Sequence, residues 1–261
     1  MGRVFTSADW HGCGKLAKKV INSLQPDDTL YFLGDAIDRG EDGIEILQMF
    51  MKDSRVKFLG GNHEKMMYDT TVRPSRWEKS MWFQNGGSKT IEKFDKLKEQ
   101  EKRDIIDYIE SGFQQTDFIY KTLDGKTIFM EHAGHTPGRI PTRTHDPLWD
   151  RGHFYDSWPK EHYRTQKDMS DIYLVHGHTP VQYLLFEYGF NGPMESITEK
   201  EWLQYKREWH ENGVTEFKPK ILRYCDGHKF DIDMCTVASK RIALLDLETF
   251  DEIYFDEEEG E

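Results

Sequence analysis

Cysteine is scarce in this chain: there are three in 261 residues, Cys13, Cys225 and Cys235, and no two of them have C-x-x-C spacing. That excludes a disulfide framework and a thiolate metal site, and it suggests a reducing, cytoplasmic compartment. Long apolar runs are also missing. None approaches the ~20 residues that a membrane-spanning helix needs, so no membrane partner is expected. Met1-Gly2-Arg3-Val4 leads straight into a β-prone run, without a signal-peptide pattern. Positive charge is in deficit, with 35 Lys and Arg against 47 Asp and Glu and a net charge of −12. A chain of that sign has no excess cation to replace the counterions of a nucleic-acid backbone, and no nucleic-acid partner is expected. Any chemistry on phosphate must then use local positive charge, from bound metals and a few arginines. The oligomeric state is not legible.

What is present fits one large α/β domain over residues 1–255, without internal repeats. The organising stretch is Leu33-Gly34-Asp35-Ala36-Ile37-Asp38-Arg39-Gly40. It follows an apolar run, Leu30 to Leu33, that reads as a buried strand. It precedes an amphipathic run, Gly43 to Met51, that reads as a helix. Earlier, Arg3 to Ala8 reads as a strand ending in Asp9-Trp10-His11-Gly12, and Lys15 to Leu24 as a helix. Later, Arg55 to Leu59 ends in Gly60-Gly61-Asn62-His63-Glu64. Asp9, Asp35 and Asn62 are thus 26 and 27 residues apart, about one strand-helix-strand unit each. Right-handed crossovers would bring all three to one edge of one sheet, with Asp35 on the central strand.

From 65 to 118 the pattern changes to a helical cap, with Lys93 to Tyr108 helical and Trp77, Trp82 and Phe83 expected in the core. The sheet resumes with Thr127 to Met130, running into Glu131-His132-Ala133-Gly134, and Ile172 to Val175, running into His176-Gly177-His178-Thr179. Residues 187–217 read as a helical insertion, in which Trp202, Tyr205 and Trp209 share a helical face expected to pack inward. Ile221 to Tyr224, Phe230 to Ile232 and Ile242 to Leu247 read as closing strands. Residues 256–261 read as a disordered acidic tail.

Five strand ends therefore present Asp9 with His11, then Asp35, Asn62, His132 and His178. Carboxylate, amide oxygen and imidazole suit Mn, Fe or Zn better than Ca or Cu(I). One ion can take Asp9 and His11, another Asn62, His132 and His178, and Asp35 can bridge them. Two such ions about 3.5–4 Å apart share a hydroxide and clamp a phosphoryl group during in-line attack, so no Ser or Cys nucleophile is needed. His63 is placed to protonate the leaving oxygen, with Asp38 orienting its ring and raising its pKa. Arg39 and Arg151 can fork onto phosphate oxygens. His176 is a supporting or structural residue, and His135, His145 and His153 receive no role.

Asp9-x-His11-Gly12, Gly34-Asp35-x-x-Asp38-Arg39-Gly40, Gly61-Asn62-His63-Glu64, His132-Ala-Gly134 and Gly177-His178-Thr179 resemble the calcineurin-like metallophosphoesterases. Within them, the chain resembles the bacterial and bacteriophage phosphoprotein phosphatases, from about Val4 to Phe255, including Asn85-Gly86-Gly87 and Leu148-Trp149-x-Arg151. The resemblance implies a central β-sandwich flanked by helices and a dinuclear centre, usually of Mn2+. It puts the family's roles on the residues just named. Two departures are Ala8, where the family usually has Gly, and the length of 187–217. The resemblance implies a phosphatase acting on phosphoserine, phosphothreonine or phosphotyrosine in proteins. Diadenosine tetraphosphate hydrolysis is the rival enzyme reading, and a non-catalytic phosphoprotein-binding scaffold the rival outside enzymes. Asp38-Arg39-Gly40 and Glu64 favour the phosphatase branch, and an intact His63–Asp38 pair speaks against a scaffold.

Overall fold

The computed structural model describes residues 2–139, 145–188 and 218–257. Period-two alternation in Arg241–Asp246 (β9) shows how its layers arise. Ile242 and Leu244 join one apolar cluster, while Ala243 and Leu245 join another. Strand residues alternate faces, so β9 separates two cores. The same holds for Val4–Ser7 (β1) and Thr29–Phe32 (β2), which run parallel to each other and to Val56–Phe58 (β3), with β1 antiparallel to β9. Glu252–Asp256 (β10) completes this sheet in the order β10-β9-β1-β2-β3. Its outer core takes Phe5, Leu30 and Phe32 against Gly14–Ser23 (α1) and Gly43–Lys52 (α2), whose buried faces carry Leu16, Val20, Ile44 and Leu47.

A second sheet contains Asp117–Lys121 (β4), Thr127–Glu131 (β5), Ile172–His176 (β6), Leu222–Tyr224 (β7) and Lys229–Asp231 (β8). Its order is β4-β5-β6-β8-β7, and β5, β6 and β8 are parallel. Ile128, Met130, Val175 and Phe230 meet Ala8, Leu33, Leu59 and Leu245 between the sheets. This mixed α/β sandwich is the expected class, but β4 to β8 form a separate facing sheet, and only β9 and β10 return to extend the first. Asp35 follows β2, which lies between β1 and β3, whereas the middle strand of the first sheet is β1.

Asn62–Val72 (α3), Arg76–Gln84 (α4), Ser88–Asp95 (α5) and Glu99–Ser111 (α6) fill the expected helical region. The run Lys93 to Tyr108 is broken between α5 and α6 at Lys96-Leu97-Lys98. Of its three aromatics only Trp82 is core, at 0% exposure, while Trp77 is 75% exposed. Strand β4 was not foreseen. It is an edge strand with half-exposed side chains and charged ends, so it carries no buried alternation. Strand β10 was also missed, and it reaches into the expected acidic tail: Asp256 is its last residue and pairs with Arg241 at 2.9 Å. Val181–Tyr188 (α7) and Thr236–Ser239 (α8) complete the described α-helices, and Gly152–Tyr155 is a short 3-10 helix. The rest of the expected insertion, 189–217, with Trp202, Tyr205 and Trp209, lies outside the described residues, as does 258–261. No described helix is long and apolar enough to cross a membrane.

Lys229 is buried beneath the loop over the outer face of the second sheet, donating to Thr136 Oγ1 at 2.7 Å and to the His153 carbonyl at 2.8 Å. Burial pushes its ammonium down from 10.5 to about 8. Between those values the unfolded chain binds more protons than the native one, so this residue makes stability rise with pH. Lys229→Met is expected to flatten the rise in unfolding free energy from about pH 8 to pH 10. Urea titrations of both proteins across that range check this. Equal slopes would refute it.

Candidate active site

The carboxyl ends of β1, β2 and β3 meet those of β5, β6 and β8 at one edge of the sandwich. Past their last residues the first two strands stay paired: Asp9 N–H donates to Gly34 O, His11 N–H to Asp35 O, and Gly12 N–H to Ala36 O, at 2.8–3.0 Å. The second sheet is tied on through His178 N–H, which donates to Asp9 Oδ2 at 3.0 Å. His132 Nδ1 donates to Leu33 O at 2.7 Å. Close approach needs bare backbone here. A Cβ at Gly177 would lie 2.0 Å from Asp9 Oδ2, and one at Gly61 would lie 2.2 Å from Asp35 Oδ1.

All six expected metal ligands come together. Asp9, His11, Asp35, Asn62, His132 and His178 are buried, and donor atoms of His11, Asp35 and His63, and of Asp35, His132 and His178, each lie within 4.8 Å of one another. Asp35 Oδ2 is 3.7 Å from His11 Nε2, and its Oδ1 is 3.6 Å from His132 Nε2, so its two oxygens face the two groups. Burial alone would raise Asp35, but His132, His63 and His11 around it hold its carboxyl well below the usual range. Asp9 is driven the other way, by burial and then by Asp233 and Asp35.

The donor set fits cations. His11 Nδ1 and His132 Nδ1 each meet a backbone carbonyl, which can only accept, so each carries its proton there and turns a bare Nε2 inward. Burial lowers both imidazoles. Asn62 turns its carbonyl oxygen toward His132 Nε2 at 2.8 Å and His178 Nδ1 at 3.0 Å. A neutral His132 thus sets one lone pair against another at hydrogen-bond distance, an arrangement that a shared cation relieves. Asp9 Oδ1 and His178 Nε2 are buried without a partner. Asp231 and Asp233, at the end of β8, add two more buried acids, each with an unpartnered Oδ2. Unpaired buried carboxylates are costly, which is the condition divalent ions relieve.

His63 Nδ1 donates to Asp38 Oδ2 at 2.7 Å. Burial disfavours the imidazolium, but Asp35 and the Asp38 hydrogen bond outweigh it and raise the His63 pKa. Asp38 is itself held by the helical region. Trp82 Nε1 donates to its Oδ2 at 2.7 Å, and Thr90 Oγ1 donates to its Oδ1 at 2.6 Å. Arg39 donates to His11 Nε2 at 2.9 Å, and its other terminal nitrogen lies 3.1 Å from His63 Nε2, which can accept from it only while the His63 ring is neutral. Its backbone is seated by Gly86 at φ +102°, where a Cβ would meet Arg39 Cγ at 2.9 Å. Arg151 Nε donates to Thr179 Oγ1 at 3.0 Å, beside His178. His176 donates or accepts at Tyr224 OH, 2.7 Å away, off the cluster.

The residues that orient this site received no such role from sequence, although Glu64 stood in one of its motifs. Trp82 and Thr90 carry no local motif. Glu64 is 0% exposed and takes N–H groups of Asp35, Ala36 and Gly61 at 2.8 Å and of Ile37 at 3.3 Å. Asp231 and Asp233 had a signal, an Asp-x-Asp at the end of a strand, without a histidine or an arginine beside it. Asp9, His11, Asp35, Asp38, Arg39 and His178 all have positive φ, from 41° to 71°, a sparsely populated region that clusters at functional sites.

The calcineurin-like phosphoesterase family matches residues 2–227. The chain belongs to that family. It is similar to serine/threonine-protein phosphatase 1 of Salmonella typhimurium, 32% identical over 87 residues, covering 32% of this chain and 38% of the relative. It is also similar to the symmetrical bis(5'-nucleosyl)-tetraphosphatase of Proteus mirabilis, 29% identical over 134 residues, 49% of this chain and 43% of the relative. The chain thus matches about two fifths of the length of each of these curated relatives. Among solved structures, a candidate diadenosine tetraphosphatase shares the fold with a TM-score of 0.56 at 14% identity, over 99% of this chain and 95% of that one.

Glu64→Gln leaves one acceptor oxygen where four N–H groups converge, and it turns an NH2 group toward them. A loss of about 2–4 kcal/mol in unfolding free energy is expected, read as a lower urea midpoint at unchanged slope. A change under about 0.5 kcal/mol, the level of an ordinary surface substitution, would refute this role for Glu64.

Proposed function

We propose that this chain is a metal-dependent phosphomonoesterase acting on phosphoserine and phosphothreonine in proteins. The observation that carries the reading is the buried Asp38–His63 pair, 2.7 Å apart, beside Arg39 and at the rim of the ligand cluster. Asp9, His11 and Asp35 would hold one divalent ion, and Asp35, Asn62, His132 and His178 a second, with Mn2+ the proposed metal and Fe or Zn alternatives. When bound, such ions supply Lewis acidity and a water-derived nucleophile at neutral pH. Arg39 and Arg151 approach from two sides with guanidinium groups suited to phosphate oxygens. His63 Nε2 faces the cluster, where it can hand a proton to the departing oxygen, and Asp38 stabilises the cationic ring before transfer.

The leaving group supports this substrate class. A serine or threonine alkoxide is a strong base that must be protonated as it leaves, so a raised, buffered imidazole is useful. A nucleoside diphosphate leaves as a stable anion and needs no such donor. The second reading, dinucleoside tetraphosphate hydrolysis, draws its support from the Proteus mirabilis relative, which matches a longer stretch than the Salmonella phosphatase does.

Mn-loaded protein is expected to turn over phosphoserine and phosphothreonine peptides faster than diadenosine tetraphosphate, with activity abolished by EDTA. His63→Asn should lower peptide kcat about 10²–10⁴-fold. Preference for the dinucleotide would keep the metal site and overturn the substrate class. Two retained metals without any turnover would favour a binding scaffold.

The pH dependence has a definite sign. His63 acts as the cation, so activity falls as pH rises through its pKa. Asp38→Asn removes a partner that raises that pKa. The alkaline limb of the peptide kcat/KM profile should therefore move to lower pH, and a limb that stays put would remove Asp38 from this role.

A further inference from the structure

Strand β5 carries a second polar cluster on the opposite face from the first. His132, just past its end, faces the candidate active site, and the preceding residue, Glu131, points outward with Phe129 by strand alternation. Glu131 is 5% exposed. Its Oε2 lies 2.9 Å from His135 Nδ1 and 3.1 Å from His145 Nε2, and the three donor atoms all fall within 4.8 Å of one another. Ligands bonded at about 2.0–2.2 Å to a tetrahedral zinc lie about 3.3 Å apart, close to both observed separations.

Three observations separate this cluster from an ordinary ion pair. His135 Nδ1 stands at ion-pair distance from Glu131, 2.9 Å, yet is a buried nitrogen that makes no well-aligned hydrogen bond. The other nitrogen of His145, Nδ1, is hydrogen-bonded to Asp150 Oδ2 at 3.2 Å. That carboxylate support is typical of imidazoles that ligate metal. Asp117 stands directly opposite Glu131 across β4 and β5, and like charges facing each other in a sheet are unfavourable without a cation.

We propose that Glu131, His135 and His145 form a third metal site, for Zn2+, separate from the dinuclear cluster. Two imidazoles and one carboxylate are a zinc donor set, leaving a fourth position for water. The site is a brace. It ties the segment after β5 to the outer face of the second sheet. Through His145 and Asp150, whose Oδ1 also accepts the Gly152 N–H at 2.6 Å, it steadies the turn that carries Arg151. The link to Arg151 rests on the phosphate-binding reading above, whereas the metal site does not.

The test is a count and a map. Full-length protein is saturated with Zn2+, desalted and analysed for metal content, alongside His135→Ala and His145→Ala. Three zinc ions per chain are expected in the unaltered protein and two in each variant. Crystals of the zinc-loaded unaltered protein should show an anomalous peak about 2.0–2.2 Å from all three donors. Zinc content unchanged from the unaltered protein in both variants, or no peak among these side chains, would overturn the site. If an alanine variant fails to fold, the map of the unaltered protein decides alone. A parallel measurement of kcat and KM on the folded variants tests the Arg151 link: a raised KM at unchanged kcat supports it, and unchanged KM removes it.

Discussion

The Glu64 carboxylate is the constraint on which the rest of the site depends. Its two oxygens gather N–H groups from Asp35, Ala36 and Ile37 after β2 and from Gly61 after β3. Those groups would otherwise be buried donors in turns that form no ladder, each costing about 1–3 kcal/mol. Meeting them with one acid locks two adjacent strand ends to the first turn of α3. The positions of Asp35, Asn62 and His63 follow from that lock. It also helps hold Asp35 in a left-handed conformation, at φ 61°, that a non-glycine residue adopts only when its surroundings over-determine it.

A second dependence runs outward into the helices. The pairing of Asp38 with His63 needs a carboxylate fixed on all sides, and two of its three side-chain donors, Trp82 and Thr90, come from α4 and α5. The helical region therefore supports the Asp38–His63 pair, and its one fully buried tryptophan serves packing and hydrogen bonding together. Electrostatics complete the arrangement. Asp9, Asp35, Asp231 and Asp233 are all buried around neutral imidazoles, with Arg39 beside them. Such a concentration of buried carboxyl groups, most of them pushed up by burial, suits divalent cations that would favour their charged form.

The strands with buried alternation were legible, and so were the polar residues that follow them, because burial on both faces imposes apolar runs and a strand must stop where carboxylate and imidazole appear. That legibility failed for β4 and β10. Both are edge strands, and half-exposed edges carry mixed side chains with no period to read. It failed again for Trp77, placed in the core by its type and found on the surface, because the face of a helix that turns inward depends on what packs there. Trp82 and Thr90 were beyond reach for the same reason. Their partner is 44 and 52 residues away along the chain.

The sequence alone determined the ligand chemistry, the family and the succession of strand ends, because these are local: residue types, spacing and apolar runs. Tertiary structure decided that the ends belong to two facing sheets, which residues hold Asp38 and Asp35 in place, and that Glu131, His135 and His145 meet on the far side of β5. Those are through-space facts, set by how two sheets pack across a shared core and by where buried N–H groups and carboxylates find partners. No spacing along the chain encodes them.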